Sequence, residues 1–250
     1  MPANCAKSTR QGFQSNPASR RERVAALRKQ LKNRRQATTA VHRQRAERLI
    51  LRRLARTLET CRRAALKHRT DAKRPCLGAF LSTPDEVDLR PLLPALSRRW
   101  RIALPKIDFS RPGHMTFLPW KPGDTLHINR WGLAEPRAHH LKPIAPRNLA
   151  CVLVPIVGVD RRGGRLGMGG GYYDRAFSHR RWAARRDAAP RPRLVGIAFA
   201  IQRVRFLPLQ RWDIQLDALV TESAQYEFSP SRDRRASKQQ KHKTEHPNVA

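Results

Sequence analysis

The chain has 250 residues, of which 40% are apolar, and a formal net charge of +33. This composition excludes a protein that is disordered throughout, because the apolar share supports one domain with extensions. No run of 18 apolar residues occurs, so we expect no transmembrane helix. The polar N-terminal segment lacks the apolar stretch of a secretory signal. An organelle transit peptide is the alternative interpretation of this segment. Four widely spaced cysteines predict neither a zinc site nor a disulfide framework, and we expect a cytoplasmic protein.

The positive charge is concentrated early in the chain. Residues 1–75 carry 22 Lys and Arg against 4 Asp and Glu. Such an excess attracts nucleic acid or an anionic membrane without specificity. Few aromatic residues stand among the basic ones, as base stacking would require. We therefore interpret the charge as a solvated surface and expect no membrane partner and no specific nucleic-acid ligand.

Both ends of the chain are polar, and we expect disordered basic extensions at residues 1–19 and 228–250. Residues 20–227 are predicted to form a single α/β domain. It begins with two amphipathic helices, because apolar residues recur at helical spacing over about 20–35 and again over about 40–67.

A short apolar strand, Cys76–Leu81, precedes a predicted helix that ends near Arg99. Thr83, Pro84 and Glu86 fit the N-cap, first and third positions of that helix, which is the pattern of a capping box. Glu86 has a second interpretation, since carboxylates at the carboxyl ends of strands lie where open α/β sheets bind ligands.

The middle of the chain is predicted to contain a strand at 101–104, ended by Pro105. Apolar runs at 115–118 and 126–128 flank a Lys-Pro-Gly-Asp turn signal, which predicts that these two strands pair as a hairpin. Residues 131–136, punctuated by Gly and Pro, are predicted to be a loop.

The glycine turn, Arg165–Asp174, separates a buried strand at about 150–157 from a predicted helix over about 172–186. In a strand–glycine turn–helix arrangement, backbone N–H groups converge on an anion. Arg165 adds a guanidinium that can hold phosphate, and Asp174 adds a carboxylate that can hold magnesium beside it. The alternative is a tight turn without a ligand. The Gly-Lys-Ser/Thr of a Walker A loop does not follow.

Two further apolar strands are predicted at 194–199 and 216–220. Asp213 and Asp217 flank the second, as candidates for metal binding or loop capping, and we assign Asp217 a structural role. Strands alternate with helices along the chain. The predicted class is therefore α/β, a mostly parallel sheet with helices on both faces, in a Rossmann-like three-layer sandwich.

From about residue 20 to 223 the sequence resembles the 5-formyltetrahydrofolate cyclo-ligases, also called methenyltetrahydrofolate synthetases. Several motifs in the same order carry the resemblance: LRKQL (27–31), FLSTPDEVD (80–88), IALP (102–105), GLAEP (132–136), LVP with VD (153–160), RLGMGGGYYD (165–174) and DIQLDALVTE (213–222).

The resemblance implies an enzyme, a ligase that uses ATP and Mg²⁺ to convert 5-formyltetrahydrofolate to 5,10-methenyltetrahydrofolate, ADP and phosphate. It further implies a phosphorylated formyl group, an iminophosphate, that N10 attacks. In such chemistry a protein chiefly positions its substrates and stabilises charge. We expect a monomer that binds 5-formyltetrahydrofolate and ATP.

The resemblance also implies roles for particular residues. Arg165 and Tyr172 are the implied catalytic residues, and Asp174 and Asp213 match the magnesium positions. The implied ATP-binding residues are Arg28, Arg165, Leu166, Gly167, Met168, Gly169, Gly170, Gly171, Tyr172 and Tyr173. The implied folate-binding residues are Leu81, Glu86, Met168, Gly169, Gly170, Gly171 and Tyr172.

Two positions depart from the family pattern. The family commonly has a lysine four residues before the arginine matched by Arg28, and this chain has Val24 there; Arg23 or Arg20 is the candidate substitute. Met168 stands where some members have an arginine. The rival hypotheses are a basic nucleic-acid-binding protein on a catalytically inactive α/β scaffold, and an inactive member of the family.

Overall fold

The computed structural model describes residues 17–67, 74–137, 141–180 and 192–228. The predicted extension at 1–16, the predicted tail from residue 229 and the predicted helix beyond residue 180 lie outside these ranges. No helix within them is long and apolar enough to cross a bilayer. The helices are α1 (Pro17–Gln36), α2 (Ala40–Lys67), α3 (Leu93–Ser97) and α4 (Tyr172–Ala176), with short 3₁₀ turns at Pro146–Asn148 and Ala200–Gln202.

Eleven strands are present in the described residues: β1 (Cys76–Gly78), β2 (Arg101–Asp108), β3 (His114–Pro119), β4 (Leu126–Ile128), β5 (Ala134–Pro136), β6 (Cys151–Pro155), β7 (Gly158–Val159), β8 (Arg165–Leu166), β9 (Arg193–Ile197), β10 (Ala218–Val220) and β11 (Gln225–Glu227). Seven of them form one sheet in the order β11-β10-β9-β6-β1-β2-β3. The five central strands are parallel, and the two edge strands pair antiparallel. The mostly parallel α/β sheet predicted from the sequence is confirmed.

The sheet is covered on both faces, and β6 shows why. Cys151 and Leu153 point to one face, which α2 covers with Ile50, Leu54 and Leu58. Val152 and Val154 point to the other face, where Phe177 and the apolar side of α4 pack. Side chains alternate along a strand, so a strand buried on both faces is apolar at every position. That is the pattern of the run 150–157 in the sequence.

The two N-terminal helices follow the predicted periodicity. The bounds of α2 agree with the prediction, and its apolar stripe is buried. α1 begins at Pro17, inside the predicted extension, because proline is well suited to the first helical turn, where its missing N–H is not needed. The Leu31 side chain of α1 packs with Val157, Leu166 and Leu207 in a third apolar cluster beside the sheet.

Two predicted helices are shorter in the structure. The helix predicted up to Arg99 is reduced to α3, because Pro91 lacks an N–H and disfavours helical geometry at Arg90 before it. Within the described residues, the helix predicted over 172–186 ends at Ala176. After it, Phe177 turns into the core and Arg180 hydrogen-bonds to Asp217.

Three predictions about the middle strands were wrong. β2 does not end at Pro105, because the proline nitrogen faces the side on which β1 has already ended and no ladder bond is lost. Residues 114–119 pair with β2 and not with 126–128, so the predicted hairpin does not form. β4 instead pairs with β5, within the segment predicted as a loop.

Candidate functional site

A large cavity of about 1420 Å³ opens at the carboxyl ends of the central parallel strands. Its walls include Leu81 after β1, Pro105 in β2 and Pro155 at the end of β6. Further walls come from the glycine turn, from one face of α1, from residues 131–135 and from residues 207–213, which we call the 207–213 loop. Open α/β sheets bind their ligands at this edge, so the cavity is the candidate site.

The glycine turn forms one wall, and its glycines are required by backbone geometry. The turn begins with the two-residue strand β8. The small β7–β8 ribbon therefore separates its glycines from the long strand β6. Gly169 and Gly171 have φ values of 105° and 65°, which disfavour side chains with a Cβ. A Cβ at Gly170 would lie 2.7 Å from the Tyr172 ring. The turn therefore presents bare backbone to the cavity.

Arg165 and Asp174 form a buried ion pair across the base of the glycine turn. An Nη of Arg165 donates to Oδ1 of Asp174 at 2.7 Å, and the same oxygen accepts the backbone N–H of Ile214 at 3.0 Å. Burial lowers the pKa of the Arg165 guanidinium, while the charges of Asp174 and Asp213 act in the opposite direction. The pair fixes Asp174 and joins the turn to the 207–213 loop.

Asp213 provides a second carboxylate at this end of the cavity. Its Oδ2 accepts the backbone N–H of Gln210 at 2.6 Å. Burial raises the pKa of its carboxyl group, and the neighbouring Asp174 charge raises it further, so an added cation would stabilise both carboxylates. The described residues contain no cluster of three or more metal-ligating side chains. Two carboxylates nevertheless fit magnesium, which takes one or two carboxylates with phosphate oxygens and water.

Three arginines of α1, Arg20, Arg21 and Arg28, line the same cavity. Nε of Arg28 donates to the carbonyl oxygen of Gly167 at 2.8 Å, which places this guanidinium against the glycine turn. Arg20 lines the cavity on the other side and donates to the carbonyl oxygen of Pro208. Val24 lies between them, whereas Arg23 is exposed and does not line the cavity. Of the two substitutes considered for the family lysine, the structure places Arg20 at the site.

Glu86 lines the cavity beside Leu81, close to Tyr173 of the glycine turn. Oε2 of Glu86 accepts the backbone N–H of Thr83 at 3.0 Å, the contact expected of a capping box, although a turn and no helix follows. Burial raises the pKa of the Glu86 carboxyl group. Burial and the Glu86 charge together raise the pKa of the Tyr173 hydroxyl well above its usual range. Glu86 therefore has a structural contact and also lines the cavity.

An aromatic cluster at the mouth was missed by the sequence analysis. The Trp131 ring packs edge-on against Tyr172 at 5.6 Å and against Phe109 at 5.0 Å between centroids. Arg130 lies over the Phe109 ring at 4.1 Å. Nearby, Glu135 of β5 is buried in the cavity wall and accepts hydrogen bonds from Ile107 N–H and the Asn129 amide. The motif GLAEP contains Glu135, but that this residue lines the cavity follows only from the pairing of β4 with β5.

The structure brings all the predicted site residues into one cavity, although it does not test their roles. They are Arg28, Leu81, Glu86, Arg165, Leu166, Gly167, Met168, Gly169, Gly170, Gly171, Tyr172, Tyr173, Asp174 and Asp213. Asp217, assigned a structural role, lies away from the cavity and pairs with Arg180.

The comparisons with known proteins agree on one family. The model of the 5-formyltetrahydrofolate cyclo-ligase family matches residues 20–222. The chain is 35% identical over 153 residues to the 5-formyltetrahydrofolate cyclo-ligase of Escherichia coli (strain K12), covering 61% of this chain and 80% of that protein. It is 30% identical to the Haemophilus influenzae protein of the same name, covering 58% and 74%. The NMR structure of Aquifex aeolicus 5,10-methenyltetrahydrofolate synthetase superposes with a TM-score of 0.61 at 26% identity, covering 84% of this chain and 94% of the other.

Proposed function

Because the chain belongs to the 5-formyltetrahydrofolate cyclo-ligase family, a family of ligases, we propose that it converts 5-formyltetrahydrofolate to 5,10-methenyltetrahydrofolate and cleaves ATP to ADP and phosphate. The observation that carries this proposal is a cavity that is lined both by the glycine turn and by Leu81 and Glu86. Its volume of about 1420 Å³ exceeds the roughly 300–1,000 Å³ of a pocket for one small molecule, which supports two substrates side by side.

The proposed reaction needs an activated formyl oxygen. The formyl oxygen attacks the γ-phosphorus of ATP, the bond to the β–γ bridging oxygen breaks, and ADP leaves. N10 then attacks the formyl carbon and loses its proton. The C–O bond breaks, phosphate departs, and the five-membered ring is closed. Both steps depend on positioning and on stabilising charge at phosphoryl oxygens, and not on a protein nucleophile.

The glycine turn and its arginines are suited to hold the triphosphate. The backbone from Arg165 to Tyr173 approaches the cavity closely, because the positive-φ glycines carry no Cβ. Arg28 supplies a guanidinium directly on this turn. Arg165, fixed by Asp174, supplies a second cation from beneath it. In this arrangement negative charge that grows on the transferring phosphoryl group meets donors that are already oriented.

Asp174 and Asp213 would hold Mg²⁺ at the 207–213 loop. Both hydrogen bonds to Asp174 go to its Oδ1 atom, so Oδ2 is left for a ligand. Gln210 N–H orients Asp213 through its own Oδ2, which leaves Oδ1. Bound magnesium would neutralise charge on the phosphate oxygens.

The reduced folate would occupy the wall formed by Leu81 and Glu86. We assign Glu86 as the acceptor for the ring N–H donors of the pterin, because its half-buried carboxylate lines the cavity beside Phe80 and Leu81. Residues Met168–Tyr172 also line the cavity, and we assign Tyr172 a role where the two substrates meet. We further propose that the enzyme acts as a cytoplasmic monomer.

The test is a direct assay of the full chain with 5-formyltetrahydrofolate, ATP and Mg²⁺, following the absorbance of methenyltetrahydrofolate. Product should form with one ADP released per turnover, and omission of ATP or chelation of the metal should stop it. Asp213→Asn should fold and lose most of the activity at limiting Mg²⁺. A folded wild-type protein that binds RNA or DNA tightly at physiological salt and makes no methenyltetrahydrofolate would contradict the proposal in favour of the nucleic-acid hypothesis.

A further inference from the structure

Three arginines of α1 line the cavity, Arg20, Arg21 and Arg28, and the hydrogen bond to the glycine turn accounts for Arg28 alone. Arg20, Val24 and Arg28 lie at i, i+4 and i+8 and all line the cavity. Eight residues of helix span roughly 12 Å, so the two guanidinium groups reach opposite sides of the opening. Arg28 lies against Gly167, and Arg20 lies against the 207–213 loop at Pro208.

The partners of these two arginines differ from those of other arginines nearby. Arg35, further along the same helix, forms a direct ion pair with Asp85 at 2.5 Å, and Arg165 forms one with Asp174 at 2.7 Å. Arg20 and Arg28 donate to backbone carbonyl oxygens and form no ion pair with a described carboxylate. A carbonyl satisfies a donor without cancelling the positive charge. The face of α1 therefore brings to the cavity positive charge that no direct ion pair cancels.

Arg20 lies at the same end of the cavity as Asp213, and both line it together with Pro208 and Gln210 of the 207–213 loop. The amide of Gln210, on the same loop, faces the Arg20 guanidinium as well. Arg20 is thus close to the end of the cavity where the two carboxylates lie, whereas Arg28 is close to the bare backbone of the glycine turn.

We propose that Arg20 is a nucleotide-binding residue of this chain, which holds the phosphate groups of ATP from the 207–213 loop while Arg28 holds them from the glycine turn. The inference rests on the proposed function and extends it to a residue outside the predicted site. A polyphosphate carries charge along its length, and two guanidinium groups on opposite sides of it form charge-assisted hydrogen bonds with different oxygens. Arg20 takes over the cationic role at this helix face, where Val24 is apolar.

The competing explanation is that Arg20 only fastens the 207–213 loop through Pro208. Three variants of the full chain separate the two explanations. Arg20→Gln keeps a donor for the Pro208 carbonyl and removes the charge. Arg20→Lys keeps the charge. Arg20→Gln combined with Val24→Lys moves a cation one helical turn along the same cavity-facing row. Arg34→Gln, an exposed arginine of α1 away from the cavity, is the matched control.

The measurements are ATP·Mg²⁺ affinity by titration calorimetry and the KM values for both substrates. We expect Arg20→Gln to weaken ATP binding and raise the KM for ATP about tenfold, with the KM for 5-formyltetrahydrofolate changed less than about twofold. Arg20→Lys and the double variant should recover most of the affinity, and Arg34→Gln should match the wild type. Affinity in Arg20→Gln should also depend less on salt concentration.

Equal ATP affinity in Arg20→Gln and the wild type overturns the inference and leaves the proposed function intact. Equal weakening by the Gln and Lys variants, without rescue by Val24→Lys, also overturns it, in favour of loop fastening. A folded wild type that neither binds ATP nor makes methenyltetrahydrofolate overturns the proposed function, and the inference with it.

Discussion

Two buried arginine–aspartate pairs in this molecule are built almost alike. Arg165–Asp174 lies under the glycine turn, and Arg180–Asp217 lies between α4 and the sheet, with N–O distances of 2.7 and 2.6 Å. In each pair the arginine is buried, and the carboxylate also accepts a backbone N–H, from Ile214 in the first pair and from Leu194 in the second.

The two pairs differ in what lies beside them. Asp174 lines the cavity and is electrostatically coupled to Asp213, whereas Asp217 is outside the cavity and holds the chain between β9 and β10. A buried ion pair is therefore not itself a sign of function in this fold. The second carboxylate and the bare backbone nearby distinguish the candidate catalytic pair from the structural one.

The most direct test of this difference is to neutralise the carboxylates of Asp174 and Asp217 in turn. Asp174→Asn and Asp217→Asn both keep an oxygen for the backbone N–H and both leave a buried arginine without its counter-charge. We expect each to lose about 1–3 kcal/mol of stability. Asp174→Asn should also lower kcat/KM about 10²- to 10³-fold, the scale of losing one charge-stabilising group. Asp217→Asn should remain within about threefold of the wild type.

The measurements are thermal unfolding and steady-state turnover at a temperature at which both variants are folded. Equal losses of activity in the two variants would mean that Asp174, like Asp217, acts through stability alone.

The same comparison shows what could be predicted from the sequence. The glycine turn was predictable because its geometry is local: Gly169 and Gly171 need positive φ, and Arg165 and Asp174 are only nine positions apart in the sequence. The central sheet was predictable because strands such as β6 are apolar at successive positions and alternate with helices along the chain.

The aromatic wall was not predictable, because it depends on which strands pair. Residues 126–128 are equally compatible with pairing to 114–119 or to 134–136, and only the tertiary packing of β3 on β2 decides. The wrong choice left Trp131 in a loop of no assigned role. Arg20 was left undecided for a similar reason, since the face of α1 that meets the cavity follows from the packing of Leu31.

The aromatic wall offers a second test with a matched residue. Trp131 is 49% exposed at the mouth of the cavity, whereas Trp100 is 2% exposed in the core beside α2. Trp131→Ala should leave stability nearly unchanged and raise the KM for one substrate about 3- to 10-fold, which corresponds to roughly 0.5–1.5 kcal/mol from an aromatic contact. We expect that substrate to be the folate, whose flat rings suit the edge-on pair of Trp131 and Tyr172.

Trp100→Phe is the control, since it removes buried volume without touching the cavity. It should lower the unfolding temperature and leave both KM values unchanged. A Trp131→Ala protein with wild-type KM for both substrates would remove the aromatic wall from the proposed site.

The smallest expected effect concerns two adjacent carboxyl groups with opposite pKa shifts. Burial raises the pKa of Glu86. At Asp85 burial acts in the same direction, but the hydrogen bond and charge of Arg35 outweigh it and the pKa is lowered. A raised carboxyl pKa favours folding at low pH, and this contribution is lost as pH rises through the folded pKa. A lowered one favours folding above the unfolded pKa, and this contribution is lost as pH falls.

Glu86→Gln should therefore raise the unfolding temperature slightly at pH 7, by a few degrees at most, and the gain should vanish near and below about pH 4, where the unfolded carboxyl is protonated. Asp85→Asn should lower the unfolding temperature at pH 7, and its deficit should shrink as the solution is acidified. The measurement is the unfolding temperature of the wild type and both variants from pH 4 to 8. A Glu86→Gln protein that gains stability at pH 7 and binds 5-formyltetrahydrofolate more weakly would show that Glu86 is kept for the ligand at the expense of the fold. A loss of stability at pH 7 would instead mean that its hydrogen bond to Thr83 N–H outweighs the cost of burying its charge.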